Sequence, residues 1–142
     1  MTTMQIRPFQ AHDTENVIAL WRDCDLTRPW NDPARDIQRK VAMADDLFLV
    51  GTVAGHVVGT VMAGYEGHRG WINYLAVDPN ERGAGRGSEL MAAAEIRLRD
   101  LGCPKINLQV RATNPDAIAF YERIGFIVDA AVSLGKRLVT DE

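Results

Sequence analysis

Leu75-Ala-Val-Asp-Pro-Asn-Glu-Arg-Gly-Ala-Gly-Arg-Gly-Ser88 is the stretch on which the reading of this chain turns. A β-rich run over residues 71–77 stops at Asp78-Pro79, a glycine-rich turn follows, and an amphipathic pattern then begins. That order predicts a strand, a loop and a helix N-terminus, a junction whose free backbone N–H groups suit a polyphosphate. Gly83, Gly85 and Gly87 let the backbone approach an anion where a Cβ would collide. Arg82 and Arg86 add positive charge, and each hydrogen bond to an ionised phosphate contributes ~1.5–3 kcal/mol. Ala84 and Ser88 complete the candidate cradle. The plainer alternative is an ordinary strand–helix connector.

Spacing removes two common phosphate loops. A Walker loop ends in Gly-Lys-Ser/Thr, and no such lysine follows here. A dinucleotide fingerprint begun at Gly83 or Gly85 meets Ser88 or Leu90 where its last glycine belongs, and residues 103–106 hold no acid. What fits is Arg82-x-x-Gly85-x-Gly87, which resembles the Arg/Gln-x-x-Gly-x-Gly/Ala pyrophosphate loop of the GNAT superfamily of acetyl-CoA-dependent N-acetyltransferases.

A second segment strengthens the resemblance. Leu108-Gln-Val-Arg-Ala-Thr-Asn114 reads as a strand entering a turn, and Ala117-Ile-Ala-Phe-Tyr-Glu-Arg-Ile-Gly-Phe126 as a helix closed by Gly125. This block is similar to the Asn…Ala…Tyr-Glu-x-x-Gly-Phe block that closes the coenzyme site in that superfamily. Arg28-Pro-Trp-Asn-Asp-Pro33 and Gly64-Tyr-Glu-Gly-His-Arg-Gly-Trp71 look like its bacterial YpeA-like branch. The resemblance implies acetyl-CoA as co-substrate, no metal, and a pair of central strands splayed around the pantetheine arm. It places Leu75, Ala76 and Val77 on that edge, Asn114 against the arm, and Tyr121 beside the thioester sulfur as general acid. Capping the following helix is the competing role for Asn114, and packing in a core stripe is the competing role for Tyr121.

Bulk composition agrees with an ordinary globular domain spanning residues 1–142: 46% of residues are hydrophobic and 25% charged. A net charge of −3, with no basic tract carrying aromatics, argues against a nucleic-acid partner. Neither a bilayer-spanning run of ~20 apolar residues nor a signal-peptide core is present, so no membrane partner and a cytoplasmic location are expected. Cys24 and Cys103 are too few for a disulfide framework or metal site, and Cys24 reads as a buried free thiol. The expected partner is a small-molecule or peptide amine, with a homodimer as the candidate assembly.

Strands are expected over 4–8, 47–53, 56–64, 71–77, 105–110 and 132–139, with a hairpin at Ala54-Gly55. Asp13 is expected to cap a helix with the stripe Val17, Leu20, Trp21 and Cys24, and Asp32 to cap a second with Pro33 at its first position. After the glycine loop a helix buries Leu90, Met91, Ala94, Leu98 and Leu101 and stops at Gly102. In the next helix Ala117, Phe120 and Ile124 face inward. The class is therefore α+β around a mixed, mostly antiparallel central sheet with flanking helices.

The general base is the point of departure. Residues 108–114 look like the strand of bacterial ribosomal-protein alanine acetyltransferases, which carry a catalytic glutamate where this chain has Gln109. Glutamine takes no proton at neutral pH, which argues against that substrate. An alkylamine of pKa near 10.4 is only ~0.04% neutral at pH 7, and an α-amine near 7.8 is ~14% neutral. A weakly basic nitrogen is thus one solution, and a base recruited from Glu66 or His68 is the other. Both residues also suit a solvated turn. Trp30 and Asp32 are the candidates to line the acceptor groove, together with the turn at Tyr65–His68. A non-catalytic acyl-CoA sensor and an antibiotic-type detoxifying acetyltransferase are the rival functions.

Overall fold

The computed structural model describes residues 2–141. Among these residues five strands pair in chain order: β1 (Gln5–Pro8), β2 (Phe48–Val53), β3 (His56–Tyr65), β4 (Gly70–Val77) and β5 (Ile106–Leu108). The first three junctions are antiparallel and β4–β5 is parallel, so the sheet is mixed and mostly antiparallel, as expected. Among the described residues four α-helices flank it: α1 (Thr14–Asp23), α2 (Pro33–Ala42), α3 (Arg86–Asp100) and α4 (Pro115–Arg123).

The period-2 alternation of β2 sorts two cores. Leu49 turns to one face with Val61, Ile72 and the α3 residues Leu90, Met91, Ala94 and Leu98, and Phe120 and Tyr121 pack against this cluster. Phe48 and Val50 turn to the other face with Val17, Leu20 and Trp21 of α1 and Ile37 of α2. The sheet is thus a wall with α3 and α4 on one side and α1 and α2 on the other.

Two irregularities in β4 shape the site. Thr60 pairs with Ala76 and Met62 with Asn73, so Val61 of β3 faces two residues of β4, Tyr74 and Leu75. This is a β-bulge, and Tyr74 sits in it at φ +50°, a left-handed conformation that costs an aromatic residue ~1–3 kcal/mol. The second irregularity lies on the opposite edge. Parallel pairing to β5 ends at Ile72–Leu108 after three residue pairs, while β4 continues to Val77. The strands splay there, as the resemblance implied.

Several local expectations are corrected. Asp13 does not cap α1. Its carboxylate receives the Arg7 guanidinium at 2.7 and 2.9 Å and the Gln10 N–H at 2.9 Å, because a buried acid gains more from a bidentate cation than from a cap. Leu101, the C-cap just past α3, is exposed although it continues the Ala94–Leu98 stripe, since the helix ends at Asp100 and Gly102 (φ +83°) redirects the chain directly after it. The strand expected over 105–110 shrinks to Ile106–Leu108, and residues 132–139 form no strand. There the backbone is held at side-chain length: Lys105 and Asn107 reach Asp129, and Gln109 reaches Ser133. That span is too long for ladder hydrogen bonds at ~4.8 Å strand spacing. Farther on, Arg137 and Asp141 anchor the segment to the α1–α2 loop and α2 instead.

Candidate active site

The glycine turn adopts the form its composition demands. Gly83 and Gly85 lie at φ +85° and +78°, where an L side chain is strained, and a Cβ at either would project into open space. Gly85 is the N-cap of the 15-residue α3 and offers no side-chain cap. The first backbone bond of α3 runs from Glu89 N to Gly85 O, so the N–H groups of Arg86, Gly87 and Ser88 have no intrahelical partner. Those donors, the helix dipole and the space a Cβ would fill together suit a pyrophosphate. Gly87 serves close packing: a Cβ there would stand 3.3 Å from the Phe120 ring, which ties α3 to α4.

The two arginines part company. Arg82 is exposed and lies over the end of β4, donating Nε to Val77 O at 3.2 Å, with Nη2 3.7 Å from Cys24 Sγ. Arg86 turns inward: it is 5% exposed, donates Nη2 to Thr2 O at 2.7 Å, and leaves Nε buried without a partner among the described residues. The charge expected of Arg86 is therefore not presented to solvent at the loop, which leaves its backbone N–H as the group it can offer there. Cys24 is half-buried, donates to Val77 O at 3.3 Å, and has its thiol pushed up by burial.

Across the splay from the loop stands α4. Asn114 Oδ1 accepts from Ala117 N at 3.2 Å, so its side chain caps α4, and Pro115 occupies the first helical position. Tyr121 packs edge-on between Phe120 and Phe126, with centroids 5.1 and 5.6 Å away. Burial pushes its phenol up to about 12. Among the described residues none hydrogen-bonds its hydroxyl, and that oxygen is not sealed from solvent. Tyr121 is thus a protonated phenol with an unspent donor, bordering a cavity of about 810 Å³ along β5.

On the α1–α2 face the acceptor-side candidates spread out. Asp32 Oδ1 accepts from Ala34 N and Arg35 N and caps α2, the role its position predicted. Trp30 is 42% exposed, and Arg137 grips its carbonyl at 3.0 Å. Glu66 spends Oε1 on the amides of His68 and Arg69, and the His68 ring lies 3.4 Å from the Arg69 guanidinium. Both therefore have local partners in the turn that follows β3.

One arrangement on this face was not legible in the sequence. Tyr74 stacks on Trp21 with centroids 3.7 Å apart and planes 10° from parallel, and its hydroxyl donates to Asp36 Oδ2 at 2.7 Å. Thr60, fully buried, accepts from Trp21 Nε1 at 2.9 Å and donates to Tyr74 O at 2.8 Å. This network holds the bulge in its strained form. Asp36 reads in sequence as one more acid on a helix surface, and nothing in a strand pattern announces a left-handed tyrosine. Among the described residues no group of His, Cys, Asp and Glu could hold a metal ion, and no helix is long and apolar enough to cross a membrane.

Comparison with known proteins agrees with this geometry. The Acetyltransferase (GNAT) family matches residues 14–126, which takes in the loop, the splay and Tyr121. Acetyltransferase SG1711 of Sodalis glossinidius is 51% identical over 140 residues, covering 98% of this chain and 99% of that protein. Among solved structures, Ard1 from Thermoplasma volcanium superposes with a TM-score of 0.76 at 30% identity over 89% of this chain and 84% of its own. The PaiA N-acetyltransferase from Thermoplasma acidophilum, in complex with coenzyme A, gives 0.80 at 17% identity, covering 92% and 93%; at that identity the likeness is one of fold. A glycine turn that leaves the first amides of α3 without intrahelical partners, a splayed sheet and the Tyr121 phenol thus coincide with a family match over most of the chain and a relative at half identity: the chain belongs to the GNAT acetyltransferase family and is an acyltransferase.

Proposed function

We propose that the protein moves the acetyl group of acetyl-CoA directly to an amine acceptor while both are bound. The observation that carries this reading is the combination of three elements among the described residues: N–H groups without an intrahelical partner at the start of α3, a β4 edge along Leu75, Ala76 and Val77 that no strand covers on the β5 side, with Val77 O taken up by Arg82 and Cys24, and the unspent hydroxyl of Tyr121. The pyrophosphate takes the amides of Gly83, Ala84, Gly85, Arg86, Gly87 and Ser88, with Arg82 swinging from Val77 O to add charge. The pantetheine arm runs beside β4 as an added strand, with Asn114 close to its path.

Holding acceptor and thioester side by side supplies several kcal/mol of the barrier through proximity. The nitrogen lone pair attacks the acyl carbon, the C–S bond breaks, and Tyr121 gives its phenolic proton to the departing sulfur. Burial raises the affinity of the nascent thiolate for a proton as it raises that of the phenol, so donor and acceptor stay matched. Trp30 supplies an apolar wall and Asp32 negative charge at the acceptor entrance. With Gln109 unable to take a proton, the acceptor is a nitrogen of modest basicity, such as an α-amine of a small molecule or peptide.

Titration calorimetry with acetyl-CoA, followed by coenzyme A release across amines, peptides and polyamines, tests the proposal. Saturable binding with release in the presence of one acceptor class is expected. Binding without release from any amine would make the protein a sensor, and absent binding at millimolar coenzyme would remove the reading altogether.

A further inference from the structure

The geometry points to Tyr74 and Asp36 as the route by which the acceptor nitrogen loses its proton, Tyr74 as catalytic residue and Asp36 as the group that positions its hydroxyl and receives the proton through it. This assignment rests on the acyl-transfer reading above and names the groups that do the work of the missing acid at Gln109.

Placement is the first argument. Tyr121 lies on the α3–α4 face of β4, and Tyr74 lies on the α1–α2 face of the same strand, in the bulge next to Leu75. In acyl transfer the attacking nitrogen and the departing sulfur occupy different corners of the tetrahedral centre. An acid on one face and a proton acceptor on the other meet that requirement. The α1–α2 face also carries the Trp30 loop, from which an acceptor would enter.

Construction is the second argument. Tyr74 is locked by the Trp21 stack, the Thr60 bridge and the bulge, which together hold it in a left-handed conformation. Its hydroxyl is fixed on Asp36 at 2.7 Å, and neither residue is sealed from solvent. Burial and then the Asp36 carboxylate push the phenol well above its usual range, so it works as a relay and not as a free base. Charged groups around Asp36 are Arg39 at 3.2 Å on its Oδ1, Asp141 bridged to the same Arg39, Arg35 on Asp141, and Asp32 one turn earlier on α2. By contrast, Glu66 Oε1 is taken up by the amides of its own turn.

The step balances. As the N–C bond forms, the nitrogen's extra proton passes to Tyr74 Oη while the Tyr74 hydroxyl proton passes to Asp36 Oδ2; Tyr121 protonates the sulfur, and exchange with water resets both groups.

The test uses the full chain and the acceptor found in the amine screen. Tyr74→Phe keeps the ring stack and loses only the relay oxygen. Asp36→Asn keeps an acceptor for the Tyr74 hydroxyl and loses only the proton sink. Each is expected to lower kcat ~10²–10³-fold with KM and coenzyme affinity unchanged, and the double variant to fall no further than either single one. Any acid limb in the wild-type kcat profile should be flattened by Asp36→Asn. Near-wild-type kcat in Asp36→Asn, or a limb that survives there and vanishes in Glu66→Gln or His68→Ala, would overturn the assignment while leaving acyl transfer standing. Absent coenzyme A release by the wild type would instead remove the acyl-transfer reading beneath it.

Discussion

Asp141 meets Arg39 across 102 residues of sequence, Oδ1 to Nη2 at 2.7 Å, and in the same position receives the backbone N–H of Asp32 at 2.9 Å. One carboxylate, its side chain 2% exposed, thus joins the C-terminal segment to the start of α2 and to the loop that presents Trp30. The Arg39 hydrogen bond, then that of Asp32, holds the Asp141 carboxyl well below the usual carboxylate range. A folded-state value below the unfolded one gives stability that is present above about pH 4 and lost as pH falls further. Asp141→Asn should therefore lower Tm at pH 7, and the gap from wild type should shrink in melts below pH 4. Its acceptor KM should rise while coenzyme affinity holds, because the loop it fastens carries Trp30 and Asp32, the proposed acceptor contacts.

Replacing Gly85 by Val should abolish coenzyme binding. A β-branched residue at φ +78° is disfavoured, and its side chain would occupy the open space in front of the α3 amides. The expected result is an acetyl-CoA affinity weakened by ~10²-fold or more in calorimetry, with an unchanged circular dichroism spectrum. Retained affinity would mean that the anion is held elsewhere.

Tyr121→Phe should cut turnover by ~10²–10⁴, the usual worth of a positioned acid, with little change in coenzyme affinity. The phenol, pushed up to about 12 by burial, is protonated below that value and lost above it. Wild-type kcat should accordingly show no alkaline decline through pH 10.5. Equal turnover in the variant would assign Tyr121 to packing alone.

The Arg7–Asp13 pair predicts a stability effect remote from the chemistry. The Asp13 side chain is 3% exposed, and the Arg7 hydrogen bond is the first cause of its lowered pKa. Asp13→Ala strands the Arg7 guanidinium and the Gln10 amide, and should cost ~3 kcal/mol, or roughly 6–12 °C in Tm. Thermal melts of the variant measure this directly, and a loss under 1 kcal/mol would make the pair ornamental.

Much of the architecture was readable because it rests on local chemistry. Glycines at Gly83, Gly85, Gly102 and Gly125 all stand at positive φ, where composition placed loop and helix ends. Asp32 with Pro33, and Asn114 with Pro115, mark helix starts by residues that tolerate or satisfy the first N–H groups. The failures share a cause as well. Whether residues 132–139 form a strand depends on a partner edge, not on their own propensity. Whether Arg86 faces solvent depends on Thr2, and whether Asp13 caps a helix depends on Arg7. The Tyr74 bulge is set by Trp21 and Thr60 from other elements, so no window of sequence around Tyr74 could announce it.

If the coenzyme lies as proposed, a β4 edge that β5 leaves uncovered beyond Ile72 makes coenzyme and backbone interchangeable as material for the sheet. An arm that hydrogen-bonds there completes the ladder, so occupancy and folding stability become one thermodynamic quantity, worth ~2.7 kcal/mol at a hundredfold excess over Kd. A cell short of acetyl-CoA would then hold this protein in a softer form, its β4 amides exchanging with water on the side toward β5, and proteolytic lifetime would follow the acetyl supply.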